Sequence, residues 1–244
     1  MLAEKSWKPE AVIRLLLSVF LCMVGSTLAL AAATRFTGSA FEDSPWRAVI
    51  ATLGFQGAAL LFVHFFLHEH ETNWSQAFGF TDRWKRAVLV GALAAMFFLP
   101  VGLGLQSLIV DWMEGHGYQP DTQQAVQALE SAAGLLQRFA LAGVAIVLAP
   151  VAEEVLFRGI LYTAIKQLGY RQLALWGSSL LFAAIHWNLP TFVPLLVLAL
   201  TLTLLYETTG NLLTSIAAHS LFNAANFAIF FAADYLRWLF PDSQ

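Results

Sequence analysis

Ala149-Pro150-Val151-Ala152-Glu153-Glu154-Val155-Leu156-Phe157-Arg158-Gly159 decides what kind of molecule this chain makes. Two carboxylates and a guanidinium fall within six residues, inside an apolar run from Phe139 to about Ile165. If that run crosses a bilayer, each charge costs about 2.5–3.5 kcal/mol at mid-membrane, and the three together roughly 8–10 kcal/mol. Pairing offsets part of this. Glu154 and Arg158 are four apart, share a helix face and stand in the favourable order of acid before base. Glu153 is turned about 100° from Glu154 and is left over. A leftover carboxylate in an apolar helix suits a general base. The plainer reading is that all three lock helices together through buried hydrogen bonds.

The rest of the chain supports the bilayer. Of 244 residues, 58% are hydrophobic and 12% charged, against about 25% charged in soluble domains. Seven apolar stretches can be drawn: Ala11 to Ala33, Ala48 to Leu67, Ala87 to Val110, Phe139 to Ile165, Leu173 to Trp187, Phe192 to Tyr206 and Leu212 to Leu236. A span needs about 20 residues, so the expected fold is an all-α, polytopic transmembrane bundle of about seven spans. Net charge is −3 with scattered Lys and Arg, which argues against nucleic acid as a partner. Cys22 stands alone, excluding an intrachain disulfide and a cysteine-based zinc cluster.

One connection is long, Asp111 to Arg138. Within it Val126, Leu129, Ala132, Ala133 and Leu136 recur at 3–4 spacing among glutamines, the pattern of an amphipathic interfacial helix. It serves as a connector or as a lid over the site. Orientation follows the basic residues. Lys5, Lys8, Arg14, Arg83, Lys85, Arg86, Lys166 and Arg171 fall on one side, and Arg35, Arg47, Arg138 and Arg237 on the other. That bias puts the N-terminus in the cytoplasm, with a bacterial inner membrane as the expected location. The lysines, apolar run and Ala-rich stretch before Thr34 also resemble a secretory signal. The run is long enough to span, so an uncleaved first helix is expected.

Two further stretches carry chemistry. The fifth ends Phe182-Ala183-Ala184-Ile185-His186-Trp187, and the seventh contains His219-Ser220-Leu221-Phe222-Asn223. His219 and Asn223 are one turn apart, with Asn226 near the same face, and a polar stripe in a span points inward. Glu153, His186 and His219 could bind a divalent metal such as zinc and activate its water. Alternatively Glu153 takes the proton of a water held by His186, while His219 and Asn223 donate to an oxyanion. Both routes hydrolyse an amide. No HEXXH is present. His64, Glu207 and Asp234 lie near span ends and read as ordinary.

Glu153-Glu154-x-x-x-Arg158, Phe182-x-x-x-His186 and His219-x-x-x-Asn223, in that order, resemble the signature of the CAAX protease and bacteriocin-processing family of intramembrane proteases. The resemblance covers about Phe139 to Ala233. It implies a helical catalytic core at 139–236, with 1–138 supplying the first helices and the connector. It implies Glu153 as the base, Glu154 and Arg158 as its support, His186 holding water or metal, and His219 and Asn223 as ligands or oxyanion donors. The implied function is an endopeptidase acting on a membrane-embedded or membrane-proximal peptide or protein, a prenylated CAAX tail being one option, with zinc or no cofactor. A non-catalytic immunity or scaffold protein of the same fold is the alternative, and a proton-coupled transporter is a third. Rise arithmetic adds one expectation. Counted from Arg138 and Arg171, His186 falls deeper than Glu153 unless the fifth helix starts outside the bilayer or tilts.

Overall fold

A computed structural model describes residues 6–37, 44–80, 83–132 and 134–239. Lys5 and Ala133 lie outside them, as do the side chains of Asp234 and Arg237. The described residues form nine helices and no strand: α1 Pro9–Thr37, α2 Pro45–Glu69, α3 Trp74–Phe78, α4 Trp84–Gly115, α5 Gln124–Glu130, α6 Leu135–Gln167, α7 Arg171–Ala184, α8 Leu189–Thr209 and α9 Leu212–Leu239. Six of them, α1, α2, α4, α6, α8 and α9, are long and apolar enough to cross a membrane. The expected fifth span is the exception. At 14 residues, α7 rises about 21 Å, short of a hydrocarbon core of about 30 Å.

Helix starts follow local chemistry. Ser44 precedes Pro45 and accepts from the Trp46 N–H; Asn73 accepts from Gln76 N at 3.0 Å; Asn188 accepts from Thr191 N at 3.2 Å. Each is a polar N-cap satisfying an otherwise orphaned donor. Gly79 and Gly210 close α3 and α8 in the left-handed region, at φ 71° and 67°. They also touch: a Cβ on Gly79 would overlap the Gly210 carbonyl.

Trp7, Phe66, Phe78, Ile160, Tyr206 and Leu212 fill the core at one end of the bundle. Trp7 Nε1 donates to Thr163 Oγ1 at 2.9 Å, and Trp7 exchanges two hydrogen bonds with the Gln167 amide. Glu207 accepts from Lys166 Nζ at 2.6 and 2.8 Å and from the Tyr162 hydroxyl at 2.9 Å, so this span-end carboxylate ties α8 to α6. Phe98, Phe182, Leu198, Leu202 and Ala218 form the middle. Here α4 lies along α9, and Gly91 lets the backbones meet: a Cβ there would sit 2.5 Å from the Thr214 carbonyl oxygen.

At the opposite end the connector docks. Leu129 and Ala132 are buried with Val49 and Leu141, against Phe227, Phe230 and Phe231. Arg138 Nε donates to the Ala132 carbonyl at 3.1 Å. The apolar stripe is shorter than the spacing predicts, because Leu136 belongs to the first turn of α6 and is exposed. Gly134 breaks the connector from α6, so the 3–4 periodicity ran across two helices.

Candidate active site

The site is built on α6, and α6 is not a uniform α-helix. Two widened turns with i→i+5 hydrogen bonding, Val144–Leu148 and Val155–Tyr162, bracket the α-helical Ala149–Glu154. Such π-turns are rare and recur at functional sites. Pro150 supplies a cause for the first. In a regular helix its ring would clash with the carbonyl four residues back, and the wider turn relieves this. Ala149 N–H bonds to Val144 O in the widened register. The next donor in that register would be residue 150, which has no N–H, so Ala145 O loses its intrahelical partner. Asn223 fills the gap: its Nδ2 donates to Ala145 O at 2.9 Å.

Glu154 lies on the buried face of α6, with its side chain 0% exposed. One of its oxygens, Oε1, accepts from Arg158 Nη1 at 2.8 Å and from His219 Nδ1 at 2.9 Å. The i,i+4 ion pair anticipated from the sequence is therefore present, but Glu154 also reaches across to α9. The other oxygen, Oε2, is buried without a hydrogen-bond partner. Arg158 is equally buried. Its Nη2 donates to the Ala199 carbonyl at 3.2 Å, and its guanidinium lies 4.4 Å from the Phe182 ring centre. A charge taken out of water needs this full set of partners.

Phe182 is the hub that sequence reasoning quoted without giving it a role. Its ring meets Arg158, Phe157 at 5.3 Å, His186 at 4.8 Å and His219 at 5.8 Å between centres. The available signal was its position four residues before His186, on the same helix face.

Each histidine's tautomer follows from its acceptor. His219 Nδ1 faces a carboxylate and His186 Nδ1 faces the Phe182 carbonyl at 2.7 Å. Both acceptors lack protons, so each Nδ1 donates and each neutral ring keeps a lone pair on Nε2. His219 Nε2 then lies 3.9 Å from Glu153 Oε2. That is beyond a direct hydrogen bond and of a size that one water bridges. Unlike Glu154, Glu153 keeps 19% side-chain exposure.

Glu153, Glu154, Arg158 and His219 are thus one constellation, with His186 beside it across the Phe182 ring. Asn223 stands apart, its amide engaged about two turns earlier on α6. The expected metal set of Glu153, His186 and His219 is not assembled. Among the described residues no three His, Cys, Asp or Glu side chains are grouped to hold a metal ion.

The depth mismatch expected between Glu153 and His186 disappears. At 33 residues, Leu135 to Gln167, α6 is longer than one span needs, so the distance from Arg138 does not fix the depth of Glu153. Counted from the shared turn after Gln167, both residues are about 21–23 Å along their helices. Beyond α7 the backbone turns sharply at Trp187, which adopts φ 48° and is 91% exposed. A bulky residue in that region is strained. Asn188 Nδ2 then donates to Asp121 O at 2.8 Å, and Gln123 Nε2 to Thr191 Oγ1 at 3.0 Å. These two bonds hold the connector's first residues beside the His186 turn.

No solved structure matches this chain. A 77-residue stretch is 39% identical to the uncharacterized protein YpbD of Bacillus subtilis (strain 168), covering 30% of this chain and 36% of that protein. Every residue of the constellation, from the Ala145 carbonyl to Asn223, falls within residues 135–225, and those residues match the family described as Rce1-like, type II CAAX prenyl endopeptidase.

Proposed function

We propose that this integral membrane protein is an endopeptidase that hydrolyses a peptide bond in a membrane-embedded or membrane-proximal substrate, with Glu153 as the base. The observation that carries this reading is the chain Arg158–Glu154–His219, which ends with His219 Nε2 3.9 Å from the partly exposed Glu153. Glu154 fixes the imidazole tautomer and orientation, and Arg158 fixes Glu154. The two unequal carboxylates divide the work: the buried one positions and the accessible one reacts. A water between Glu153 and His219 gives its proton to Glu153 as its oxygen attacks the substrate carbonyl. The tetrahedral oxyanion collapses, the C–N bond breaks, and the amine leaves with the proton returned by Glu153. The products are one carboxylic acid and one amine. The family description makes a CAAX-type peptide the first substrate to try.

We also assign the Lys166 end to the cytoplasm of a bacterial inner membrane, from the bias of Lys8, Arg14, Lys85, Arg86, Lys166 and Arg171 toward it.

The test is cleavage of a membrane-peptide library, CAAX-type peptides included, by reconstituted wild type and by Glu153→Gln. Loss of activity by a factor of about 10²–10⁴, with thermal unfolding unchanged, is the expected result. Full activity in the variant removes Glu153 as the base. A wild type that cleaves nothing favours the immunity or scaffold role.

A further inference from the structure

A cavity of about 530 Å³ opens at the Lys166 end, beside the start of α9. It lies where the first turn of α4 meets the α8–α9 turn, and its walls include Arg83, Arg86, Thr208, Thr209, Asn211 and Thr214. Nothing in the hydrolytic chemistry above uses it. Its size is that of ordinary small-ligand sites, about 300–1,000 Å³. Two guanidinium groups line it, and among the described residues no carboxylate does.

Three more observations say what it takes. First, α9 is 28 residues long and starts here, so the positive end of its dipole opens into the cavity, as at known anion sites. Second, Thr214 on the cavity wall is 0% exposed, and its hydroxyl has no hydrogen-bond partner. A buried hydroxyl left unpaired is costly and needs an explanation, and a bound acceptor supplies one. Third, the level is that of the membrane surface. Trp84 starts a membrane-length helix, is exposed, and carries Lys85 Nζ 5.6 Å from its ring, the aromatic-plus-basic pairing of a headgroup belt.

We propose that this cavity binds the phosphate group of an anionic lipid headgroup. Arg83 and Arg86 supply the charge, the α9 terminus the dipole, and the Thr214 hydroxyl one donor. A lipid held there would brace α4 against the α8–α9 turn, on the same helix that carries His219.

The probes are phosphatidylglycerol, phosphatidylcholine and inorganic phosphate, each added to purified full-length protein in detergent. Phosphatidylglycerol is expected to raise the unfolding temperature and to stay bound in native mass spectrometry, while phosphatidylcholine does neither. Arg83→Gln/Arg86→Gln, two exposed positions where the fold is kept, is expected to weaken phosphatidylglycerol roughly 30-fold. Thr214→Val is expected to weaken it too, with lipid-free stability held or raised. Equal binding of both lipids, or phosphatidylglycerol binding undiminished in the double variant, overturns the site. Inorganic phosphate that displaces phosphatidylglycerol and stabilises equally well keeps the phosphate site and overturns the lipid as its source. Neither result depends on peptide cleavage.

Discussion

The Asn223 side chain donates to the Ala145 carbonyl, the one oxygen that Pro150 leaves unpaired in the widened turn of α6. The same side chain is expected to act on substrate, so it has two candidate roles. The two roles can be separated. Asn223→Ala should cost about 1 kcal/mol by leaving a partly buried carbonyl without its partner. Pro150→Ala restores the missing N–H, so the double variant should lose less than the two singles summed, with a coupling of about 0.5–3 kcal/mol. Unfolding in detergent measures this. Activity that stays lost in a double variant of recovered stability would return Asn223 to the oxyanion.

Glu154 and Glu153 are neighbours with opposite expected phenotypes. Glu154→Gln leaves the Arg158 guanidinium buried without its counter-charge, and breaking such a pair costs about 3–5 kcal/mol. Glu153→Gln breaks no direct hydrogen bond to Arg158 and alters a partly exposed side chain, so a smaller cost of about 0.5–1 kcal/mol is expected. Chemical denaturation of the two variants side by side checks the contrast. Equal destabilisation would mean that both carboxylates are structural.

Gly91→Ala should loosen α4 from α9, because its Cβ would meet the Thr214 carbonyl oxygen at 2.5 Å and the Ala217 Cβ at 2.9 Å. Backbone cannot swing aside, so a cost of about 1–3 kcal/mol is expected. Gly104→Ala, with nothing within 4 Å, is the control on the same helix and should be neutral or stabilising. Thermal unfolding of the pair decides it.

Chelation supplies a further check. With no three-ligand group assembled among the described residues, peptide cleavage is expected to survive exhaustive dialysis against EDTA. Loss of cleavage that zinc restores, together with stoichiometric zinc by elemental analysis, would require His186 to swing into a ligand set.

Much of this was legible in the chain. The apolar runs located every span-length helix, because hydropathy over about 20 residues is set by the bilayer rather than by neighbours. Glu154 and Arg158 gave their ion pair from spacing alone. What stayed hidden depends on tertiary geometry or on backbone register. The Glu154–His219 bond joins residues 65 apart, and nothing local signals it. The widened turns leave no trace in Val144–Leu148 or Val155–Tyr162 beyond Pro150. The depth count from Arg138 fails because α6, at 33 residues, is longer than the hydrocarbon core is thick. Leu136 misled the connector as an apolar residue continuing a period that Gly134 had already broken.

The shortness of α7 has a consequence for the supply of reactant. A helix ending after about 21 Å exposes its last carbonyls where an ordinary span would still be sealed in lipid, and those carbonyls demand polar company. His186, Asn188, the Asp121 carbonyl and the Gln123 side-chain amide gather at that point. The proposed hydrolysis consumes one water per bond cut, and the same truncation that sets the depth of His186 would supply it, so lengthening α7 is expected to lower cleavage before it disturbs any residue of the site.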